Sequence, residues 1–182
     1  MKPYILLLRG VNVGGKNKLP MAGLKKCLEE LGYTGVTTYI ASGNVLVRSR
    51  KKPTAIQSEV ESVLPKKFKL DSELVKVLVV PHTHLKAIVN KKPKGFGDEP
   101  HTYHSDVIFL MDISASSAMK VCSPKEGVDT LWPGKGVIYS QRLSAERTKS
   151  RLNRIMGTPA YKQMTIRNWN TTQKLLEMLE SR

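Results

Sequence analysis

Short β-branched runs and helical apolar stripes alternate along this chain, and the order in which they alternate occurs twice. Tyr4 to Leu8 is wholly apolar, the mark of a strand buried on both faces. After a polar loop, Pro20 opens a helix whose apolar positions Met21, Leu24, Cys27, Leu28 and Leu31 share one face, and Gly32 is placed to stop it. Val36 to Ile40 and Val45 to Val47 are strand-like runs joined by Ala41-Ser42-Gly43-Asn44, a turn suited to positive φ, so they pair as an antiparallel hairpin. Thr54 and Gln57 have the spacing of a capping box for a helix carrying Ile56, Val60, Val63 and Leu64, which Pro65 ends or bends. Leu74 to Val80 reads as a fourth strand closed by Pro81, and a short helix over 83–89 follows.

The stretch 91–104, KKPKGFGDEPHTYH, has the Pro, Gly and charge content of a linker or long exposed loop. Beyond it the order resumes. Val107 to Met111 is a strand and Ser114 to Lys120 a helix, and Val128 to Trp132 and Val137 to Gln141 form a hairpin around 133–136. A helix ending near Met156, with Gly157 as its stop, leads to a strand over 164–166 and a closing helix over 168–180. The fold class expected is α+β, a tandem duplication of ferredoxin-like βαββαβ halves, each followed by an extra helix. The halves are residues 1–90, with the glycine-rich loop, and 105–182, with the C-terminal helix, joined by 91–104.

Composition leaves this picture standing and adds a sign to it. The chain of 182 residues, 40% hydrophobic and 25% charged, is ordinary for a globular protein. Its 30 Lys and Arg against 15 Asp and Glu are not ordinary, and give a formal charge of +15. Residues 1–90 hold 15 basic and 6 acidic residues, and the remainder 15 and 9, so both halves are basic. Such a field favours nucleic acid, anionic surfaces or phosphorylated ligands, and equally suits a solvated surface. Two cysteines without a signal peptide fit reduced thiols, and no apolar run approaches the roughly 18 residues of a membrane helix. A cytoplasmic protein with no membrane association is the expectation.

The candidate chemistry lies in the loop Arg9-Gly10-Val11-Asn12-Val13-Gly14-Gly15-Lys16-Asn17-Lys18. Its glycines allow positive φ and close approach of a ligand, and Arg9, Lys16 and Lys18 supply charge. Gly10, Gly15 and Lys16 match most of a phosphate-binding P-loop. Asn17 occupies the position of the magnesium-binding hydroxyl, however, and Leu19-Pro20 delays the helix, so a nucleotide triphosphatase is disfavoured. At the far end, Arg167 enters the closing helix with Asn168 and Asn170 as capping residues, where either a bound anion or an acidic side chain offsets its charge.

LLRGVNVGGKNKLPM (Leu7 to Met21), YIASGNV (Tyr39 to Val45) and RNWNT (Arg167 to Thr171) resemble the signature segments of a bacterial family called domain of unknown function 1697. The resemblance spans nearly the whole chain and implies an α+β fold with an internal duplication. It implies no activity, so no catalytic residue is carried over from it. It suggests that the three segments converge on one polar pocket. Ligand-binding candidates are then Arg9, Asn12, Gly14, Gly15, Lys16, Asn17, Ser42, Asn44, Arg167, Asn168 and Asn170. The bland alternative is three stability turns that use Asn and Gly for positive φ.

An RNA-reading module is disfavoured, because Val45-Leu46-Val47-Arg48 lacks the Gly and aromatic pattern of a base-stacking strand. His82, His84, His101 and His104 have no cysteine or carboxylate at ligand-like spacing, so no metal is assigned. Asp106 and Asp112 flank a strand and read as loop-end residues. The ranked expectations are a binding protein for an anionic or phosphate-bearing small molecule, then a nucleic-acid-associated protein using charge alone, then an enzyme on a phosphorylated small molecule. Cofactor and oligomeric state are not specified by the sequence.

Overall fold

The computed structural model describes residues 1–71 and 75–181. The chain divides into two compact units, Met1–Lys86 with Leu175–Arg182, and Ala87–Lys174. In the first, β1 (Lys2–Arg9), β2 (Thr34–Tyr39), β3 (Asn44–Ser49) and β4 (Lys76–Pro81) form a sheet in the order β2-β3-β1-β4, all neighbours antiparallel. Helices α1 (Met21–Glu30) and α2 (Pro53–Lys67) connect the strands, and α3 (His82–Asn90) follows β4. Such an order places both crossover helices on one face, as a ferredoxin-like half requires. Tyr4, Leu6 and Leu8 of β1 pack there with Leu24 and Leu28 of α1 and Ile56, Val60 and Leu64 of α2.

The second unit repeats the topology. Strands β5 (Tyr103–Leu110), β6 (Asp129–Gly134), β7 (Val137–Leu143) and β8 (Met164–Asn168) form a sheet in the order β6-β7-β5-β8, again antiparallel, with α4 (Ala115–Val121) after β5; α5 (Trp169–Glu180) follows β8, its residues from Leu175 on counting with the first unit. The duplication holds at the level of register. Leu6 faces Val45 and Val79, as Ile108 faces Ile138 and Ile166. The Leu8 amide donates to the Gly43 carbonyl at 2.8 Å, and that of Leu110 to Gly136 at 2.9 Å.

Four local expectations are corrected. The helix expected to end near Met156 is replaced by three 3-10 segments, Ser144–Glu146, Leu152–Gly157 and Pro159–Gln163. Arg147 to Arg151 offers no apolar face to a sheet, and in the Leu152–Gly157 segment only Ile155 is buried. Helix α2 starts at Pro53, whose ring presets φ for the first turn; Lys52 precedes it, so no Thr54 capping box forms. Pro65 sits inside the last turn of α2, which continues to Lys67, the proline forgoing a single hydrogen bond back to the preceding turn. Strand β5 begins at Tyr103, so Asp106 is inside the strand and not at its end. The strand start expected at Leu74 lies outside the described residues.

The stretch 91–104 is not simply a solvated tether. Phe96 is fully buried, its ring packed edge-on against Trp132, Tyr139 and Trp169 at centroid distances of 6.0, 5.1 and 5.1 Å. Lys92 Nζ donates to the Phe96 carbonyl at 2.7 Å and to Asp98 at 2.5 Å, pinning the turn that delivers the ring.

Candidate functional site

The glycine-rich loop is a small hairpin. Val13 and Lys16 form a bridge, the Lys16 amide donating to the Val13 carbonyl at 3.1 Å, and the two residues between them, Gly14 and Gly15, have φ of 58° and 75°. Two consecutive left-handed residues are what a tight two-residue hairpin turn demands. One step further in, the Asn12 amide donates to the Asn17 carbonyl at 3.1 Å, and both asparagines are themselves left-handed, at φ 54° and 47°. Asparagine tolerates that region because its side chain can bond locally.

The asparagine side chains serve the loop itself. Asn12 Nδ2 donates to the Leu19 carbonyl at 3.0 Å and to the Ala41 carbonyl at 2.7 Å, while its Oδ1 accepts from the Leu19 amide at 2.7 Å. Asn17 Nδ2 donates to Gly10 O at 2.7 Å, and the Asn17 amide donates to Asp71 Oδ2 at 2.6 Å. Fully buried Asn44 donates to the Tyr39 carbonyl at 3.1 Å and to Ser42 Oγ at 2.9 Å. The Gly10–Leu19 loop and the 41–44 turn are therefore tied together within the first unit. Asn12→Ala is expected to lower stability by about 3 kcal/mol, since it strips three hydrogen bonds and keeps an unfavourable φ; denaturant unfolding reads this, and a loss under about 0.5 kcal/mol would contradict it.

What this clamp leaves outward is the tip. Val13, Gly14, Gly15, Lys16 and Lys18 are exposed, and Arg9 at the end of β1 is half-buried. Added Cβ atoms at Gly14 or Gly15 would meet nothing within 4 Å. Next in sequence to Ala41, whose carbonyl Asn12 holds, Ile40 is exposed and left-handed at φ 49°, costly for a β-branched residue by roughly 1–2 kcal/mol. Sequence reading took Ile40 as the end of a strand, whereas β2 stops at Tyr39. Nothing in its residue type signals the strain. Helix α1 begins only at Met21, behind Pro20, so Lys16 does not stand at a helix start as in a P-loop.

Arg167, Asn168 and Asn170 belong to the second unit. Arg167 is the penultimate residue of β8, and its Nη1 donates to Thr165 Oγ1 and to the Ile166 carbonyl, both at 2.8 Å. Burial lowers its pKa to about 10. Asn168 caps α5, its Oδ1 accepting from the Asn170 amide at 3.0 Å, and its Nδ2 donates to the Ser105 carbonyl at 3.2 Å. Asn170 is exposed.

The second unit also holds a polar group absent from the sequence expectations. Asp106 Oδ2 lies 3.1 Å from His104 Nε2, and burial raises the carboxyl pKa even though His104, Arg142 and Asn168 pull it down. The Nε–H of Arg142 is buried with no acceptor among the described residues. Alternation along His104-Asp106-Ile108 marks all three as one strand face, and that was the available signal.

Two antiparallel four-stranded sheets, each with the β2-β3-β1-β4 connectivity, define a duplicated α+β protein whose glycine-rich hairpin is clamped by its own asparagines. The chain belongs to the family described as "Protein of unknown function (DUF1697)", whose pattern matches residues 1–139. That span includes the hairpin and the Ser42–Asn44 turn, and the Arg167–Thr171 segment lies beyond it. A solved structure of a conserved bacterial protein, SP0830 from Streptococcus pneumoniae, is similar at 26% identity and a TM-score of 0.83, over 98% of both chains. No curated protein matches the chain.

Proposed function

We propose that the protein binds an anionic, phosphate-bearing ligand at the tip of the glycine-rich hairpin, with Lys16, Lys18 and Arg9 supplying charge and the Gly14-Gly15 backbone allowing close approach. The observation that carries this is the division of labour in the loop. Asn12 and Asn17 are spent on holding its shape, and Gly14, Gly15, Lys16 and Lys18 are left on the outside. A ligand that meets an open tip instead of a deep cleft is attracted mainly by charge, which the net +15 reinforces. The backbone of a nucleic acid satisfies the same chemistry and is the second reading, favoured by the exposure of the hairpin tip. An enzyme acting on a phosphorylated molecule is the third; the late start of α1 counts against its P-loop form. Both cysteines are free thiols, Cys27 buried and Cys122 half-buried, which suits a reducing cytoplasm.

Fluorescence anisotropy with a labelled random single strand, alongside calorimetry with ATP and with pyrophosphate, tests the proposal and separates its sources. Binding is expected to weaken steeply with salt, and Lys16→Ala/Lys18→Ala to weaken it about tenfold, as loss of two charge contacts implies. Binding of ATP and pyrophosphate but not the oligonucleotide assigns a small ligand, and the converse assigns a polyanion. Absence of binding to all three at low salt, or indifference to the double substitution, would remove the hairpin as the site.

A further inference from the structure

The register that equates the two units also shows where they part. Tyr4 lies between Val47 and Pro81 in the first sheet, and the matching residue Asp106 lies between Ser140 and Asn168 in the second. One layer further out, Lys2 and Ser49 are matched by His104 and Arg142. A phenol and two hydrocarbon side chains in one half are thus matched by a carboxylate, a hydroxyl and an amide in the other. The cover differs as well, since α2 packs on this face in the first unit whereas in the second the 3-10 segment containing Ile155 lies on it beside α4. A cavity of about 60 Å³ remains beneath that segment, with Asp106, Ser140 and Arg142 on its polar side and Ile108, Ile155 and Ile166 on its apolar side.

In the twin unit Tyr4, Val47 and Pro81 fill the matching layer, so the set Asp106, Ser140 and Asn168 is not a requirement of the scaffold. It is costly. Among the described residues the Arg142 Nε–H is buried without an acceptor, and its register partner Asp129 accepts from the Lys125 and Arg151 amides through Oδ2, at 2.9 and 2.8 Å, while Oδ1 is buried and unsatisfied there. A buried donor without a partner, on a residue that lines a cavity, marks a place where an outside molecule completes the hydrogen bonds.

We infer that this cavity is a binding site for a small aliphatic α-amino acid, its carboxylate accepting from Arg142, its ammonium donating to Asp106 and its side chain lying against Ile108, Ile155 and Ile166. The class follows from the three wall chemistries taken together: a buried donor, a half-buried carboxylate and an adjoining hydrocarbon surface. The site lies in the second unit and uses no residue of the glycine-rich hairpin, so Lys16→Ala/Lys18→Ala should leave it unaffected.

Nitrogen-edited NMR titration of the full chain with leucine, isoleucine and valine is the test, with leucinamide and N-acetyl-leucine as probes lacking one charge each. Shifts confined to residues around Asp106, Ser140 and Arg142, saturating near about 1 mM or below, are expected. Leucinamide and N-acetyl-leucine should each bind at least about tenfold more weakly, the equivalent of one lost charge-assisted bond. Asp106→Asn and Arg142→Gln should abolish the shifts. Asp106→Asn should also melt no lower than the parent, because it removes a buried charge while keeping shape. No site-specific shift with any of the three amino acids, binding of leucinamide or N-acetyl-leucine as tight as that of leucine, or an Asp106→Asn protein that still binds or melts lower would each overturn the inference, leaving trapped water as the occupant.

Discussion

Gly43→Ala is expected to be the most damaging single-methyl change in the first unit, lowering stability by about 3–5 kcal/mol. Gly43 has φ 75°, and a Cβ placed there would stand 2.7 Å from Val11 Cγ2, 2.8 Å from Leu8 Cβ and 3.3 Å from the Leu8 carbonyl oxygen. Leu8 Cβ sits on the backbone of the central strand and is held by the Leu8 amide bond to Gly43 O, so it has little room to yield. Gly14→Ala is the internal control. Its φ of 58° is similarly unfavourable for a side chain, but its Cβ meets nothing within 4 Å, so about 1–2 kcal/mol is expected from backbone conformation alone. Urea unfolding of both variants isolates the steric part by difference. Equal destabilisation of the two would show that the crowding between the 41–44 turn and Leu8 contributes nothing. Because folded domains hold only about 0.05–0.15 kcal/mol per residue, the larger loss removes much of the margin of a unit this size.

Phe96→Ala should be comparably severe in the second unit, costing about 3–5 kcal/mol through lost burial and the cavity left behind. The ring is fully buried and touches Trp132, Tyr139 and Trp169 edge-on. Its neighbour Gly97 is held in the same pocket, its amide donating to Gln141 Oε1 at 3.0 Å, with no room for a Cβ, which would fall 2.5 Å from the Trp169 ring. The chain has two tryptophans, and both line this cluster, so intrinsic fluorescence reports it directly. Phe96→Ala should red-shift the emission and lower the melting temperature, while Phe96→Leu should retain more of the stability by filling part of the space. Parent-like melting and emission in Phe96→Ala would mean that the loop does not anchor the unit.

The amino-acid order by itself determined the eight strands, the alternation of elements and the duplication, because each strand has a β-branched or apolar run and each hairpin a Gly-containing turn at the right place. It also determined that the glycine-rich loop, the 41–44 turn and Arg167 are special, since no core requires that concentration of Asn, Gly and Arg. Only the tertiary structure decided what those residues do. Asn12, Asn17 and Asn44 are seen as internal clamps once their acceptors, carbonyls contributed by other turns, are located, and such partners leave no trace in local spacing. The same holds for Phe96, whose loop has a linker's composition but whose ring is anchored by residues far along the chain. It holds for Asp106 most of all. Its meaning comes from facing Ser140 and Asn168 across a sheet where the other half faces hydrocarbon, and register between strands is a property of the folded pairing, not of the sequence of either strand.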